Sequence, residues 1–170
     1  MNKFTISLTN ALAIILISLM AIIVLDVTWQ VFTRFILKDP SSFTEELAGF
    51  LLIWIGLLGA SYAYYTKAHL GIDILTAKYT GIKKQVIEIV ISIIVLLFSL
   101  FILVIGGWNL VNITFTLKQI SPAMGIPMGY VYLVLPLTGI LLIYYSLVFI
   151  LASVRGESVI SADKKISMIE

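Results

Sequence analysis

The chain has 170 residues, 61% of them hydrophobic and only 12% charged, whereas a soluble domain carries about 25% charge; a deficit gathered into long uncharged runs makes the bilayer the solvent. A net charge of +2 leaves no electrostatic footprint for nucleic acid. With no cysteine there is no disulfide, thiolate nucleophile or Cys-ligated metal, and a single histidine cannot supply the two axial imidazoles of a haem-anchoring four-helix bundle.

Four membrane-crossing helices and one interfacial helix are predicted in a single membrane domain, 1–153, followed by a polar tail, 154–170. Lys3 and the apolar run behind it imitate a signal peptide, but Phe4 to Leu25 is too long for an apolar signal core of roughly 7–15 residues. Helix 1 is predicted over about 8–35, with Asp26, Gln30 and Arg34 spaced i, i+4, i+8 as one polar line. Trp29, Phe32 and Phe35 read as an interfacial aromatic belt. In the turn after it, Asp39-Pro40 reads as an N-cap with proline at N1, and Ser42-x-x-Glu45 as a capping box. Both start a helix, and the sequence leaves the two starts open.

Helix 2, about 43–65, opens with Glu45 and Glu46. Gly49, Gly56, Ala60 and Ala63 fall near one face, where small residues let another helix approach closely. Tyr62, Tyr64 and Tyr65 mark its far interface. Between about 70 and 83, Ile72, Leu75 and Tyr79 recur at helical spacing against polar residues, the pattern of an amphipathic helix lying in the interface. Helix 3, about 85–115, exceeds the ~30 Å hydrocarbon core, so it must tilt, protrude or break, with Gly106-Gly107 as the break. The connection 116–129 carries Ile120, Met124 and Ile126, side chains that a fully solvated loop does not need, and is expected to dock on protein. Helix 4, about 130–153, should kink at Pro136 and Gly139. Eight of the eleven lysines and arginines fall on the side of Lys3, Lys83 and Lys164, against Arg34, Lys38 and Lys118 on the other. The positive-inside rule then puts both termini in the cytoplasm.

Few residues point to chemistry. Asp26 inside a helix reads either as a proton or ion site or as a buried group paired with a neighbouring helix. Arg34 with Glu45 and Glu46 reads as a charged outer surface for a soluble partner, as an internal ion pair, or as both. His69 and Asp73, i and i+4, lack a third metal ligand and read as a hydrogen-bonded pair. Trp54 reads as a packing residue, and Ser121-Pro122 and Pro127 as parts of a rigid turn. No phosphate-binding loop, nucleophile elbow or zinc-protease motif is present, which argues against an enzyme.

Taken together, Arg34; Glu45, Glu46 and Leu47; Trp54; Gly59-Ala60; His69 and Asp73; Ser121-Pro122-Ala123-Met124; Ile126-Pro127; and Pro136 make a chain that resembles the small membrane subunit, the Q subunit, of tripartite ATP-independent periplasmic (TRAP) transporters. Phe43 stands where the family often has tryptophan, and Met124 where it often has leucine. The resemblance implies a bacterial inner-membrane protein in a heterodimer with a large many-helix transport subunit, helping to dock a periplasmic substrate-binding protein. It implies sodium and substrate sites in the large subunit, no cofactor or metal here, and an acidic substrate, sialic acid or a C4-dicarboxylate, with sialic acid favoured on overall similarity. By the same resemblance Arg34, Lys38, Glu45, Glu46 and Lys118 are candidate docking or outer-surface residues, and Gly49, Gly56, Ala60, Ala63, Ile72, Leu75 and Tyr79 candidate contacts of the large subunit. Two rival readings stand beside it: a self-sufficient oligomeric transporter coupled to protons through Asp26, and an anchor subunit of a redox or signalling complex.

Overall fold

The computed structural model describes residues 3–68 and 82–154. Four helices there are long and apolar enough to cross a membrane: α1 (Lys3–Leu37), α2 (Ser42–Tyr65), α3 (Ile82–Thr116) and α4 (Met128–Val154). No strand occurs among the described residues. The chain is an all-α multi-pass membrane protein. His69, Asp73 and the interfacial helix around Ile72, Leu75 and Tyr79 lie outside the described residues, as does the tail from 155, whereas Ile82 and Lys83 belong to α3.

The helices pack in the spatial order α1, α2, α4, α3. α4 is the most enclosed, with 44% of its most apolar stretch buried against 11% for α1. Most of α1 is therefore uncovered by the rest of the chain, with Ile17 and Leu25 about two-thirds exposed or more. A row of buried and half-buried residues runs through Thr5, Thr9, Leu12, Leu16, Leu19, Ile23, Asp26, Gln30 and Thr33, joined near its start by half-buried Ile6, Leu8 and Ala13. The row's alternating steps of four and three make the 3.5-residue seam of a helix wrapped along its neighbours. Asp26 and Gln30 lie on that seam. Arg34 is exposed and leaves it, so the expected three-residue polar line is broken at its last member. The backbone widens into a π-helical turn over Thr33–Leu37, which changes the angular spacing there. Exposed hydroxyls in this span bond back to their own helix, Ser18 to the Ile14 carbonyl at 2.9 Å and Thr28 to that of Val24 at 2.6 Å, as a hydroxyl in an apolar span must where no other partner is at hand.

At the end where α1 starts and α2 finishes, tyrosines join the bundle. Tyr64 and Tyr65, at the far end of α2, are buried with Tyr145 and Phe149. Ring contacts of 4.9–6.1 Å run through Tyr64, Tyr65, Tyr145 and Phe149. Hydroxyls close the polar requirement: Thr5 with Tyr144 at 2.8 Å, Thr9 with Tyr145 at 3.2 Å, and Ser146 to Tyr64 at 3.3 Å. Lys67 pairs with Glu88 at 2.9 Å and lies 5.5 Å from the Phe149 ring centre.

α3 does not break at Gly106-Gly107. It widens instead into a π-helical stretch over Ser99–Gly106. Ser99, Leu103, Gly107 and Val111 are all buried, one every four residues. In a regular α-helix each four-residue step would advance the side chain by about 40° around the axis, so the wider turns keep this row facing α4. In α4, Pro136 has no N–H for the Tyr132 carbonyl, and the helix is interrupted at Leu133. α2 and α3 each end on a lysine in the left-handed conformation, Lys67 (φ 52°) and Lys118 (φ 50°). At each, the paired terminal hydrogen bonds of a Schellman closure form, for example Gln119 N–H to the Thr114 carbonyl at 3.1 Å. Glycine is the usual residue there, but a lysine also brings positive charge to the carbonyl end of the helix dipole.

Candidate functional site: the charged turn end

The α1–α2 turn and the α3–α4 connection share one end of the bundle. α1 finishes at Lys38, whose φ of 55° reverses the chain. α2 is capped by Ser41, whose hydroxyl accepts from the Thr44 N–H at 3.4 Å. The cap is thus neither of the two residues suggested by pattern, Asp39 or Ser42. Their neighbour Ser41 takes the position because Thr44, three residues on, returns a bond from its own hydroxyl to the Ser41 carbonyl at 2.9 Å.

The α3–α4 connection is a small hairpin. Ile120 faces Pro127 in an antiparallel bridge, with Ser121 N–H to the Ile126 carbonyl and Met128 N–H to the Gln119 carbonyl, both at 2.9 Å. At its tip Gly125 takes φ 68° and donates to the Ser121 carbonyl at 3.0 Å. A side chain at that backbone angle would be strained. Pro127 precedes α4 with extended backbone.

Glu46 ties this hairpin to α2. Its Oε2 accepts from the Ser121 hydroxyl, from the Ala123 N–H at 3.0 Å and from the Met124 N–H at 2.9 Å. The connection therefore docks on protein, but through polar donors and not through the apolar residues that suggested it: Ile120 is exposed, and Met124 and Ile126 are half-buried. About two turns further along α2, Trp54 donates from Nε1 to the Val131 carbonyl at 3.1 Å, beside the interruption in α4. Replacing Trp54 with Phe should leave that carbonyl without its partner and lower stability by about 1 kcal/mol; thermal unfolding of the purified protein in detergent measures it.

The expected ion pair of Arg34 with Glu45 and Glu46 is not formed. Glu46 turns to the hairpin, and Arg34, Lys38, Glu45 and Lys118 are exposed with no ion pair to any described residue. Phe35, Ile36, Phe43 and Ile120 stand exposed among them. On α2, Gly49 and Gly56 are open, with nothing within 4 Å of a Cβ added at either, and Ala60 and Ala63 are half-buried. Pro122 is exposed and Ser121 buried. Asp26 is buried, and its Oδ2 has no hydrogen-bond partner among the described residues. Sequence reasoning singled out both Glu46 and Ser121 but not their bond. The missed signal was the Ser121–Met124 turn, whose hydroxyl and two successive N–H groups all reach an acceptor on another helix. No group of three metal-ligating side chains occurs among the described residues.

Residues 22–156 match the model of the family described as tripartite ATP-independent periplasmic transporters, DctQ component. The chain is 26% identical over 134 residues to a TRAP transporter small permease protein of Haemophilus influenzae, covering 79% of this chain and 81% of that protein. It is 28% identical over 141 residues to the sialic acid TRAP transporter small permease protein SiaQ of Vibrio cholerae, covering 82% of this chain and 79% of the relative.

Proposed function

This chain belongs to the DctQ component family of tripartite ATP-independent periplasmic transporters, whose members are small permease subunits and not enzymes, and on that premise we propose that it braces a large sodium-coupled subunit in the bacterial inner membrane and offers docking surface to a periplasmic binding protein. The observation that carries the docking role is the set of exposed charges, Arg34, Lys38, Glu45 and Lys118, held on helix ends without internal ion pairs. Charges arranged this way cost the fold little and remain available to steer a soluble partner. The positive-inside count assigns this end to the outer side.

The open face of α2 around Gly49, Leu52 and Gly56 is the proposed seat of the large subunit, since small residues allow close helix approach where lipid and protein are equally apolar. The substrate is proposed to be an acidic sugar of the sialic acid type, on the likeness to a relative named for it. Transport chemistry is assigned to the large subunit, with no cofactor or metal on this chain.

A tagged chain drawn from its native membranes in mild detergent should bring down a large polytopic subunit in near-equal amount. Together with the binding protein, that pair should take up sialic acid in liposomes under a sodium gradient. Recovery of this chain alone, or uptake by this chain alone, would overturn the accessory role and turn attention to Asp26.

A further inference from the structure

We propose that the Ser121–Met124 turn is a carboxylate-binding cradle and that Glu46 is its built-in ligand, a latch that positions the 119–128 hairpin for the soluble partner. The positioning half of the proposal rests on the docking reading above; the cradle half does not.

Three donors from one short turn converge on a single oxygen, Glu46 Oε2: the Ser121 hydroxyl and the successive N–H groups of Ala123 and Met124, the latter two at 3.0 and 2.9 Å. Met124 N–H also lies 3.1 Å from the Ser121 hydroxyl, which ties the donors to each other. Pro122 has a fixed φ and no N–H, so it shapes the turn without competing for the acceptor. Consecutive backbone N–H groups aimed at one point form a nest for anions, and hydrogen bonds to an ionised group are the stronger kind. No lysine or arginine pairs with Glu46 among the described residues. The turn's own dipoles therefore supply the opposing charge, and nothing in them is specific to a glutamate side chain beyond the carboxylate it carries.

The latch joins residues more than seventy positions apart in sequence. It adds a tie to α2 for a hairpin otherwise held by its own cross-bonds and by the helices at its two ends. With Glu46 in place, the turn that follows exposed Ile120 keeps one geometry against α2. With it removed, the hairpin loses its side support while the bundle below keeps its own packing.

The test uses the assembled two-subunit complex with the large subunit's cysteines replaced. This chain has no cysteine, so a nitroxide on Ala123→Cys reports the turn alone, and the Ala123 N–H is retained. Glu46→Ala should sharpen the spectrum to that of a mobile label, and formate in the buffer should broaden it again. Glu46→Gln, which keeps an acceptor oxygen, should leave the label largely immobile. The half-saturating concentration of binding protein for uptake should rise on the order of tenfold in Glu46→Ala, the loss of about one charge-assisted hydrogen bond, and return toward the parent value with formate. A label as immobile in Glu46→Ala as in the parent, or a mobile label indifferent to formate, overturns the cradle. A label that mobilises and is rescued while uptake never moves overturns the positioning role and counts against the docking reading. The spectrum and the uptake curve thus separate the two failures.

Discussion

Arg34→Glu is expected to raise the half-saturating concentration of binding protein on the order of tenfold, with the amount of assembled complex unchanged and with the defect shrinking as salt is added. Arg34 is exposed on the widened last turn of α1 and makes no ion pair among the described residues. Reversing it therefore leaves nothing inside the chain unpaired, and its cost to the fold is the small one, about 0.3–1 kcal/mol, of a negative charge at the carbonyl end of a helix. A soluble partner that meets it does notice, because juxtaposing like charges costs enough to slow encounter by about an order of magnitude, and that cost is screened within a Debye length of roughly 8 Å at physiological salt. The contrast with Glu46 is sharp. Lysine at position 46 would remove a carboxylate held by three donors at short range, a defect of geometry that salt does not relieve. Uptake measured against binding-protein concentration at low and high salt distinguishes the two. Loss of the complex in Arg34→Glu would show instead that Arg34 holds an internal contact, and unchanged uptake would remove it from the docking surface.

The four spans were legible because length and composition alone decide them: about twenty apolar residues suffice to cross, and runs of that length occur four times. The turn end was partly legible for a different reason. Charges and prolines between apolar runs stand out, so Arg34, Glu46 and Ser121 could be named, but a sequence does not say which acceptor meets which donor. Inside the spans even less is visible. Lipid is as apolar as a core, so the pattern that separates inside from outside in a soluble helix is weak here. Tyr64 and Tyr65 show the consequence. Their position marked the far end of α2, but no pattern showed that Ser146 would donate to Tyr64 or that both rings would sit in the core. Gly106-Gly107 shows another. Two glycines suggested a break, whereas a four-residue repeat from Ser99 to Val111 is met by widened turns, and Gly107 is small because α4 passes against it.

That close passage gives the largest expected structural effect, Gly139→Leu. A Cβ at Gly139 would lie 2.8 Å from Val104 Cγ2, 2.9 Å from Leu103 Cβ and 3.1 Å from the Val104 backbone nitrogen. Across the same interface a Cβ at Gly107 would lie 2.8 Å from Leu135 Cβ and 3.2 Å from the backbone nitrogen of Pro136. Backbone atoms and Cβ positions do not move out of the way by changing rotamer, so the two helices must separate. Dispersion falls steeply with separation, and in a bilayer no hydrophobic term between helices compensates for it. Gly139→Leu should therefore lower stability by about 3 kcal/mol, the upper part of the range for overpacking. Gly139→Ala should cost less, and both should appear as lower melting temperatures of the isolated chain in detergent. Gly56 is the control, because nothing lies within 4 Å of a Cβ built there. Gly56→Leu should melt like the parent and yet recover less of the large subunit from membranes, since the added side chain meets no atom of this chain and obstructs only what seats on the open face of α2. A Gly139→Leu protein that melts with the parent would disprove the close packing of α3 on α4, and a Gly56→Leu protein that retains its partner would move the large subunit to another face.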